Sequence, residues 1–160
     1  MLNVVSLRNN FTALAGGHRG KHTLLNYSNF FIAHKNIDAA FTNIKLTCRN
    51  ILTNNHLRII DSASSILPLK TASFSGDTYS VCPSPDGFTI CFLLDESHMS
   101  LHSYTNKEES RGEIIGKLAV DLFTCSPTPA NHHNAVRDLN KFLIENYDVL
   151  LDSSKTIDRF

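Results

Sequence analysis

A serine between an acid and a histidine follows the most apolar run of the chain. Glu96, Ser97 and His98 come one residue after the segment GFTICFLL, and a second histidine, His102, lies four residues further on. A serine hydroxyl beside an imidazole is a candidate nucleophile with its base. However, Ser97 lacks the Gly-x-Ser-x-Gly elbow of many hydrolases, and the histidines have no third metal ligand at a suitable spacing. Taken alone, such a pair at the end of a strand is more often structural.

The cysteines do not form a metal-binding pattern. They are Cys48, Cys82, Cys91 and Cys125, and no two are spaced as Cys-x-x-Cys, so a zinc site is not expected. With no secretory signal in the sequence, we expect free thiols in a reducing compartment and a cytoplasmic protein.

Three separated motifs occur in a specific order. The Glu-Ser-His motif at Ser97 is followed by His102 and then by the segment AVDLFTC, which ends at Cys125. In this order the chain resembles the bacterial and archaeal class of S-adenosylmethionine decarboxylase over roughly residues 22–151. The early segment GKHTLLNY fits the same resemblance.

The resemblance implies a proenzyme that cuts itself before Ser97. The Ser97 hydroxyl would attack the carbonyl of Glu96, turn the amide into an ester and then undergo elimination, leaving a pyruvoyl group as the covalent cofactor. Residues 1–96 would become the β chain and residues 97–160 the α chain. The pyruvoyl ketone would form a Schiff base with the substrate amine and act as electron sink while carbon dioxide leaves. In this family the product is the aminopropyl donor for spermidine synthesis.

Three further roles follow from the resemblance. His102 matches the family's processing base, and Cys125 matches the donor that reprotonates the substrate carbon. A thiol with a pKa near 8.5 holds its proton at neutral pH and can still release it. Thr89, eight residues before Ser97, matches a hydroxyl residue that assists self-cleavage.

The residues that would bind the substrate match the family pattern less well. The family stacks adenine on an aromatic ring and holds the ribose through a glutamate. Its usual run after the second histidine is Thr, an aromatic, Pro and Glu, whereas this chain has Ser-Tyr-Thr-Asn. Tyr104 can still stack on a base. Glu113, found after realignment across an insertion, is the candidate for the ribose contact, and Glu108 and Glu109 are the competing candidates.

Two alternatives stay open at this point. A pyruvoyl-dependent decarboxylase for ornithine or arginine on the same scaffold would explain the altered nucleoside pocket. A non-catalytic homologue that pairs with an active partner is the other, although the intact Ser97, His102 and Cys125 argue against it.

Charge and hydropathy narrow the class of partner. Fifteen basic and fifteen acidic residues cancel, so no global field favours nucleic acid or an acidic membrane. No apolar run approaches the roughly 20 residues needed to cross a bilayer. We therefore expect a small-molecule substrate and, by the resemblance alone, a homodimer with its sites near the subunit interface.

The helices and strands expected from the sequence pattern must position these residues. Together they indicate an α+β fold, a two-layer sandwich of mostly antiparallel sheet with helices packed on one face. Apolar periodicity predicts two helices, over 37–53 and around 136–147. Alternating or apolar runs predict strands near 21–34, from Leu57, at 78–82, 87–94, 97–104 and 118–123, and in the segment DVLLD.

Polar segments complete the prediction. The stretch 61–86 is predicted to be a loop around the weak strand 78–82, and the stretch 105–117 a long loop or the tip of a hairpin. His132 and His133 are predicted to lie on a solvated turn. Residues 1–20 are expected to be a flexible tail, with an organelle transit peptide as the alternative, and residues 21–160 a single domain.

Overall fold

The computed structural model describes residues 20–30, 32, 36–68, 85–95, 97–108, 113–125 and 128–159. In chain order the elements are β1 (Gly20–Ser28), α1 (Ile37–Asn54), β2 (Ile59–Pro68), β3 (Pro85–Leu94), β4 (Ser97–Glu108), β5 (Glu113–Thr124), α2 (Pro129–Tyr147) and β6 (Leu150–Arg159). The strands form one sheet in the order β2-β3-β4-β5-β1-β6, and each neighbouring pair is antiparallel. The predicted α+β sandwich is confirmed.

One face of the sheet forms the core because side chains alternate along each strand. On the three central strands, the inward side chains are at most 2% exposed: Phe88, Ile90, Phe92, Leu94, Met99, Leu101, Leu118, Val120 and Leu122. The helices bury residues at steps of three, four or seven against this face: Ile37, Ile44, Cys48 and Leu52 from α1, and His132, Ala135, Leu139 and Leu143 from α2. Cys48 of α1 is fully buried in this core.

The opposite face of the sheet is more open. On β4 and β5 its side chains are half-buried or exposed, and they include His98, His102, Tyr104 and Asp121. The candidate chemistry of β4 therefore lies mainly on the face away from the helices.

Gly87, near the start of β3, allows β3 and β4 to approach each other closely. A Cβ on Gly87 would lie 2.0 Å from the carbonyl oxygen of Ser103. The neighbouring Phe88 N–H donates to Ser103 Oγ at 2.9 Å. These contacts hold β3 and β4 in the register that places Thr89 opposite His102.

The predicted loop over 61–86 is wrong in its first part, where β2 continues to Pro68. The serines that suggested a loop are used on the half-buried face of an edge strand. Ser64 Oγ accepts from Lys45 of α1 at 2.7 Å, and Ser62 Oγ accepts from Arg49 at 3.4 Å. These serines form hydrogen bonds with α1 in place of the apolar contacts that a half-buried strand usually makes. The sequence of this part of β2 therefore does not show the alternation of apolar and polar residues that marks a strand. The weak strand predicted at 78–82 lies outside the described residues.

Of the two alternatives for 105–117, the long loop is wrong and the hairpin tip agrees with the structure, although the tip is shorter than predicted. Strands β4 and β5 pair continuously as far as Glu108 opposite Glu113, which leaves only 109–112 between them. The segment DVLLD opens a longer strand than expected, because β6 pairs with the whole of β1 along the sheet edge. The tail predicted over 1–20 lies outside the described residues, apart from Gly20.

Candidate active site

Ser97 is the first residue of β4 and follows a very short connection from β3. Leu94 and Ser97 are paired across the hairpin, with only two residues between them. The connection is tied to β2, since the Asp95 N–H donates to the Arg58 carbonyl at 3.0 Å and the two side chains form an exposed ion pair at 2.9 Å. Glu96 itself lies outside the described residues.

The structure brings Ser97 and Cys125 together. The backbone N–H of Cys125 donates to Ser97 Oγ at 2.9 Å, across 28 positions of sequence. The contact follows from the register of β4 and β5, which pairs His98 with Phe123 and so leaves Cys125 just past the strand end, beside Ser97. Both residues are half-buried. The predicted nucleophile and the predicted proton donor thus share one site.

A second pair lies further along β4. Thr89 Oγ1 and His102 Nδ1 are 2.7 Å apart on paired positions of β3 and β4. The His102 ring packs against Tyr104 with centroids 5.7 Å apart. Tyr104 is 36% exposed, which leaves part of its ring accessible. Three of the residues named from the sequence therefore cluster on the open face of the sheet.

The two pairs are separate within one chain. Ser97 and His102 are five residues apart on β4, a span of about 16 Å in extended chain. An odd separation also sends their side chains to opposite faces of the sheet. A proton transfer needs heavy atoms about 3 Å apart, directly or through one water. His102 is therefore out of reach of Ser97 in the same chain.

A polar cluster that the sequence did not predict lies on the open face next to Ser97. Asp121 Oδ1 lies 2.6 Å from His22 Nε2 and 3.8 Å from His98 Nε2. Both imidazoles pack against the ring of Phe123, with centroids 5.8 Å away. The side chain of His98 is thus oriented toward Asp121. His22 Nδ1 is buried and has no hydrogen-bond partner among the described residues.

His132 corrects a prediction. It does not lie on a solvated turn but is fully buried in the first turns of α2. Its ring nitrogens lie 2.7 Å from Thr23 Oγ1 and 2.9 Å from Thr124 Oγ1. Burial, with help from the nearby positive charges of His133, Lys21 and His22, lowers the pKa of His132 to about 4. The buried stripe of α2 begins at this residue, and extending its three- and four-residue spacing one turn back would have found it.

The side chain of Glu113 is not among those described, and its backbone pairs with Glu108 at the end of the β4–β5 hairpin. Its assignment to the ribose stays a prediction. Within the described part of the chain, no three His, Cys, Asp or Glu side chains are grouped so that they could hold a metal ion. Neither of the described helices is long and apolar enough to span a membrane.

Comparison with known proteins agrees with the motifs. The family model of S-adenosylmethionine decarboxylase matches residues 47–150, which is more than half of the chain and includes Ser97, His102 and Cys125. The chain therefore belongs to the S-adenosylmethionine decarboxylase family, and the predicted resemblance is confirmed at that level. Its assignment to the bacterial and archaeal class stays a prediction. No curated protein sequence matches the chain.

Among solved structures, two similar ones are the crystal structures of AtUAH in complex with (S)-hydroxyglycine and with glyoxylate. Each is 9% identical and has a TM-score of 0.32, over 87% of this chain and 27% of that chain. The chain thus spans about a quarter of the length of that protein. Similarity at this level supports no argument about fold or function.

Proposed function

We propose that the chain is a self-cleaving, pyruvoyl-dependent decarboxylase that converts S-adenosylmethionine to its decarboxylated form for spermidine synthesis. The observation that carries the proposal is the contact of Ser97 Oγ with the Cys125 N–H at 2.9 Å. Family membership supports the same reaction. The three described cysteines, Cys48, Cys91 and Cys125, are free, which agrees with a reducing cytoplasm.

Self-cleavage requires a β-oxygen next to a peptide bond that is free to rearrange. Ser97 supplies the oxygen, and its position at the start of β4 leaves the preceding bond in a connection rather than inside a strand. Attack of Oγ on the Glu96 carbonyl forms an ester. Loss of the Ser97 Cα proton then breaks the Cβ–Oγ bond and releases the Glu96 carboxylate. Water hydrolyses the resulting dehydroalanine, ammonia leaves, and residue 97 becomes a pyruvoyl group.

The surroundings of Ser97 fit such a group. Cys125, whose backbone N–H donates to Ser97 Oγ before cleavage, carries the thiol that the family uses as proton donor, so this thiol belongs to a residue next to position 97. The pyruvoyl group supplies a carbonyl that acts as electron sink for decarboxylation. The protein residues then have two tasks: Cys125 delivers a proton to the substrate carbon, and the half-buried setting limits competing protonation by water.

The separation of His102 from Ser97 supports a homodimer in which each site takes groups from both chains. His102 and Thr89 lie on the open face of the sheet, where a second copy has access to them. In such a dimer, His102 of one protomer would act on Ser97 of its partner. This arrangement reconciles the role of His102 as processing base with its distance from Ser97 in one chain.

Complementation between two inactive variants tests this arrangement. Neither Ser97→Ala nor His102→Ala alone should yield finished fragments. When both are co-expressed, the Ser97→Ala chain would supply His102, and the His102→Ala chain should be cleaved. A mass tag on each variant identifies which chain is cut. If co-expression gives no rescue although mixed dimers form, the shared site is wrong.

Tyr104 supports the choice of S-adenosylmethionine among amino-acid substrates, and Glu113 provides a test of it. The Tyr104 ring offers a partly exposed surface beside His102, suited to stacking on adenine. Replacing Glu113 with Gln should weaken the ribose contact by about 1–2 kcal/mol, the range for losing a charged hydrogen-bond partner. The effect should be absent for ornithine and arginine, which carry no nucleoside.

Two measurements test the proposal as a whole. Intact mass should give fragments of residues 1–96 and 97–160, with the second blocked to amino-terminal sequencing because a pyruvoyl group has no amine. Ser97→Ala should stay a single chain. Labelled carbon dioxide should then be released from S-adenosylmethionine. Release from ornithine or arginine instead would show that the assigned substrate is wrong and that the pyruvoyl mechanism is right. An uncleaved wild-type chain would favour a non-catalytic homologue.

A further inference from the structure

We infer that the backbone N–H of Cys125 is a catalytic hydrogen-bond donor in self-cleavage, acting on Ser97 Oγ as that oxygen leaves Cβ. The inference rests on the proposed function, and it adds a role for Cys125 that is independent of its thiol. It starts from the 2.9 Å contact between Cys125 N and Ser97 Oγ.

The contact leaves the serine able to react. An N–H donor occupies one lone pair of Oγ. The hydroxyl proton stays available to a base, and the second lone pair stays available for attack on the Glu96 carbonyl. The hydrogen bond therefore fixes the position of Oγ without removing its nucleophilic electrons.

The hydrogen bond from the Cys125 N–H to Oγ becomes stronger as the reaction proceeds. After the shift, Oγ is the bridging oxygen of an ester between residues 96 and 97. When a base removes the Ser97 Cα proton, the electron pair forms the Cα–Cβ double bond and the Cβ–Oγ pair moves onto oxygen. Oγ thereby becomes one of the two oxygens of the departing Glu96 carboxylate. A hydrogen bond to an oxygen that gains charge strengthens in the transition state, which is the condition for catalysis.

The N–H is also held in place before the reaction. The preceding residue, Thr124, is 1% exposed, pairs with Lys21 of β1 and bonds to the buried His132 through its hydroxyl. A donor fixed by strand pairing and by a buried side chain needs no reorganisation when charge develops. His132 thus contributes to the site as a positioning residue, through Thr124.

A single-atom change in the backbone tests the inference. Two full-length chains are made by cell-free translation: Cys125→Ala, and a chain with L-lactate at position 125, in which an ester oxygen replaces the N–H. Both lack the thiol and have the same side chain, so they differ only in the donor. Samples are quenched over time and treated with hydroxylamine, which cuts esters, and the fragments are identified by mass. Breakage at the introduced ester, after Thr124, is distinguished from breakage before Ser97 by size.

The rate at which Cys125→Ala reaches finished fragments is the reference for the lactate chain, because neither chain has the thiol. The lactate chain should accumulate the ester at Ser97 and finish about 100-fold more slowly, as when one oxyanion donor is removed. A lactate chain that finishes as fast as Cys125→Ala overturns the inference and leaves the proposed function intact. If the lactate chain forms no ester at Ser97, the N–H is needed before elimination, and the inference that it acts as Oγ leaves Cβ is overturned. A wild-type chain that never cleaves overturns the proposed function as well.

Discussion

Thr89 Oγ1 and His102 Nδ1 lie 2.7 Å apart on directly paired positions of β3 and β4. The hydroxyl restrains the rotation of the imidazole and engages one of its two nitrogens, so that Nε2 is the nitrogen left for proton transfer. The sequence assigned both residues to self-cleavage through separate matches to the family. Their contact gives that joint assignment a physical basis.

Replacing Thr89 with Val should slow self-cleavage by about tenfold, since valine keeps the shape of threonine and removes the hydroxyl. A tenfold change corresponds to about 1.4 kcal/mol, in the range for one hydrogen bond. Thr89→Ser keeps the hydroxyl and should cleave at nearly the wild-type rate. The measurement is the time course of fragment appearance on a denaturing gel. Equal rates for the valine and serine variants would show that this hydrogen bond does not assist processing.

Cys125→Ser should still cleave, because it keeps the backbone N–H beside Ser97, but it should lose about 100-fold or more in kcat. A serine hydroxyl is a far weaker acid than a thiol, so protonation of the substrate carbon becomes slow. Carbon dioxide release per cleaved chain measures the effect, and progressive inactivation during turnover should accompany it. Unchanged turnover would leave Cys125 with its backbone role alone.

Tyr104→Ala should weaken binding of S-adenosylmethionine by about 1–3 kcal/mol, the scale for stacking of a base on an aromatic ring. Tyr104→Phe retains the ring and should bind with nearly wild-type affinity. Affinity is best measured by calorimetry on proteins that also carry Ser97→Ala, which form no pyruvoyl group and so bind S-adenosylmethionine without reacting. A phenylalanine variant as weak as the alanine variant would point to the hydroxyl rather than the ring.

His132 should make the fold sensitive to acid. Its pKa is about 4 in the folded protein against an ordinary 6.5. Between these values the unfolded chain binds more protons, so the free energy of unfolding falls as the pH falls. The expected loss is about 3 kcal/mol from pH 7 to pH 4. Urea unfolding at several pH values measures it.

Two variants separate this effect from other titrations. His132→Gln keeps a donor and an acceptor for Thr23 and Thr124 and should flatten the pH dependence, at some cost in stability at pH 7. His133→Gln, at the exposed neighbouring position, should retain most of the slope. If both variants keep the same slope, other groups govern the acid sensitivity.

Gly87→Ala should destabilise the fold by about 1–3 kcal/mol or more, the usual cost of an added methyl group without room. The new Cβ would meet the backbone oxygen of Ser103 at 2.0 Å, which cannot yield without shifting β3 against β4. Gly20→Ala is the matched control, because the nearest atom to its Cβ would be at the end of the Phe123 side chain, at 3.0 Å, and the nearest backbone atom would be the Thr124 oxygen at 3.4 Å. Similar midpoints of urea unfolding for the two variants would contradict this account.

The sequence predicted the fold class, the strand before Ser97 and the alternation of β4, because these depend on local periodicity. It found the start of β2 but ended that strand too early, since the rest of β2 pairs its serines with Lys45 and Arg49 of a helix instead of burying apolar side chains. It also misjudged His132, whose hydroxyl partners are Thr124, eight residues before it, and Thr23 of β1, which is 109 residues away in sequence.

The sequence could name candidate site residues, but it could not give their arrangement. Motif order identified Ser97, His102 and Cys125, yet strand register determines that Ser97 meets a backbone amide and that His102 meets Thr89. The cluster around Asp121 joins three strands and left no signal along the chain.

The strand order has a consequence for the protein after cleavage at Ser97. The larger piece would contribute β1, β2 and β3, and the smaller piece β4, β5 and β6. In the sheet these strands interleave, because β1 lies between β5 and β6. The two pieces would therefore be held together by hydrogen bonds between their strands. They should elute together under native conditions, although no covalent bond would join them. Unfolding, however, changes from a one-body to a two-body process, so the cleaved protein should melt at a temperature that depends on its concentration.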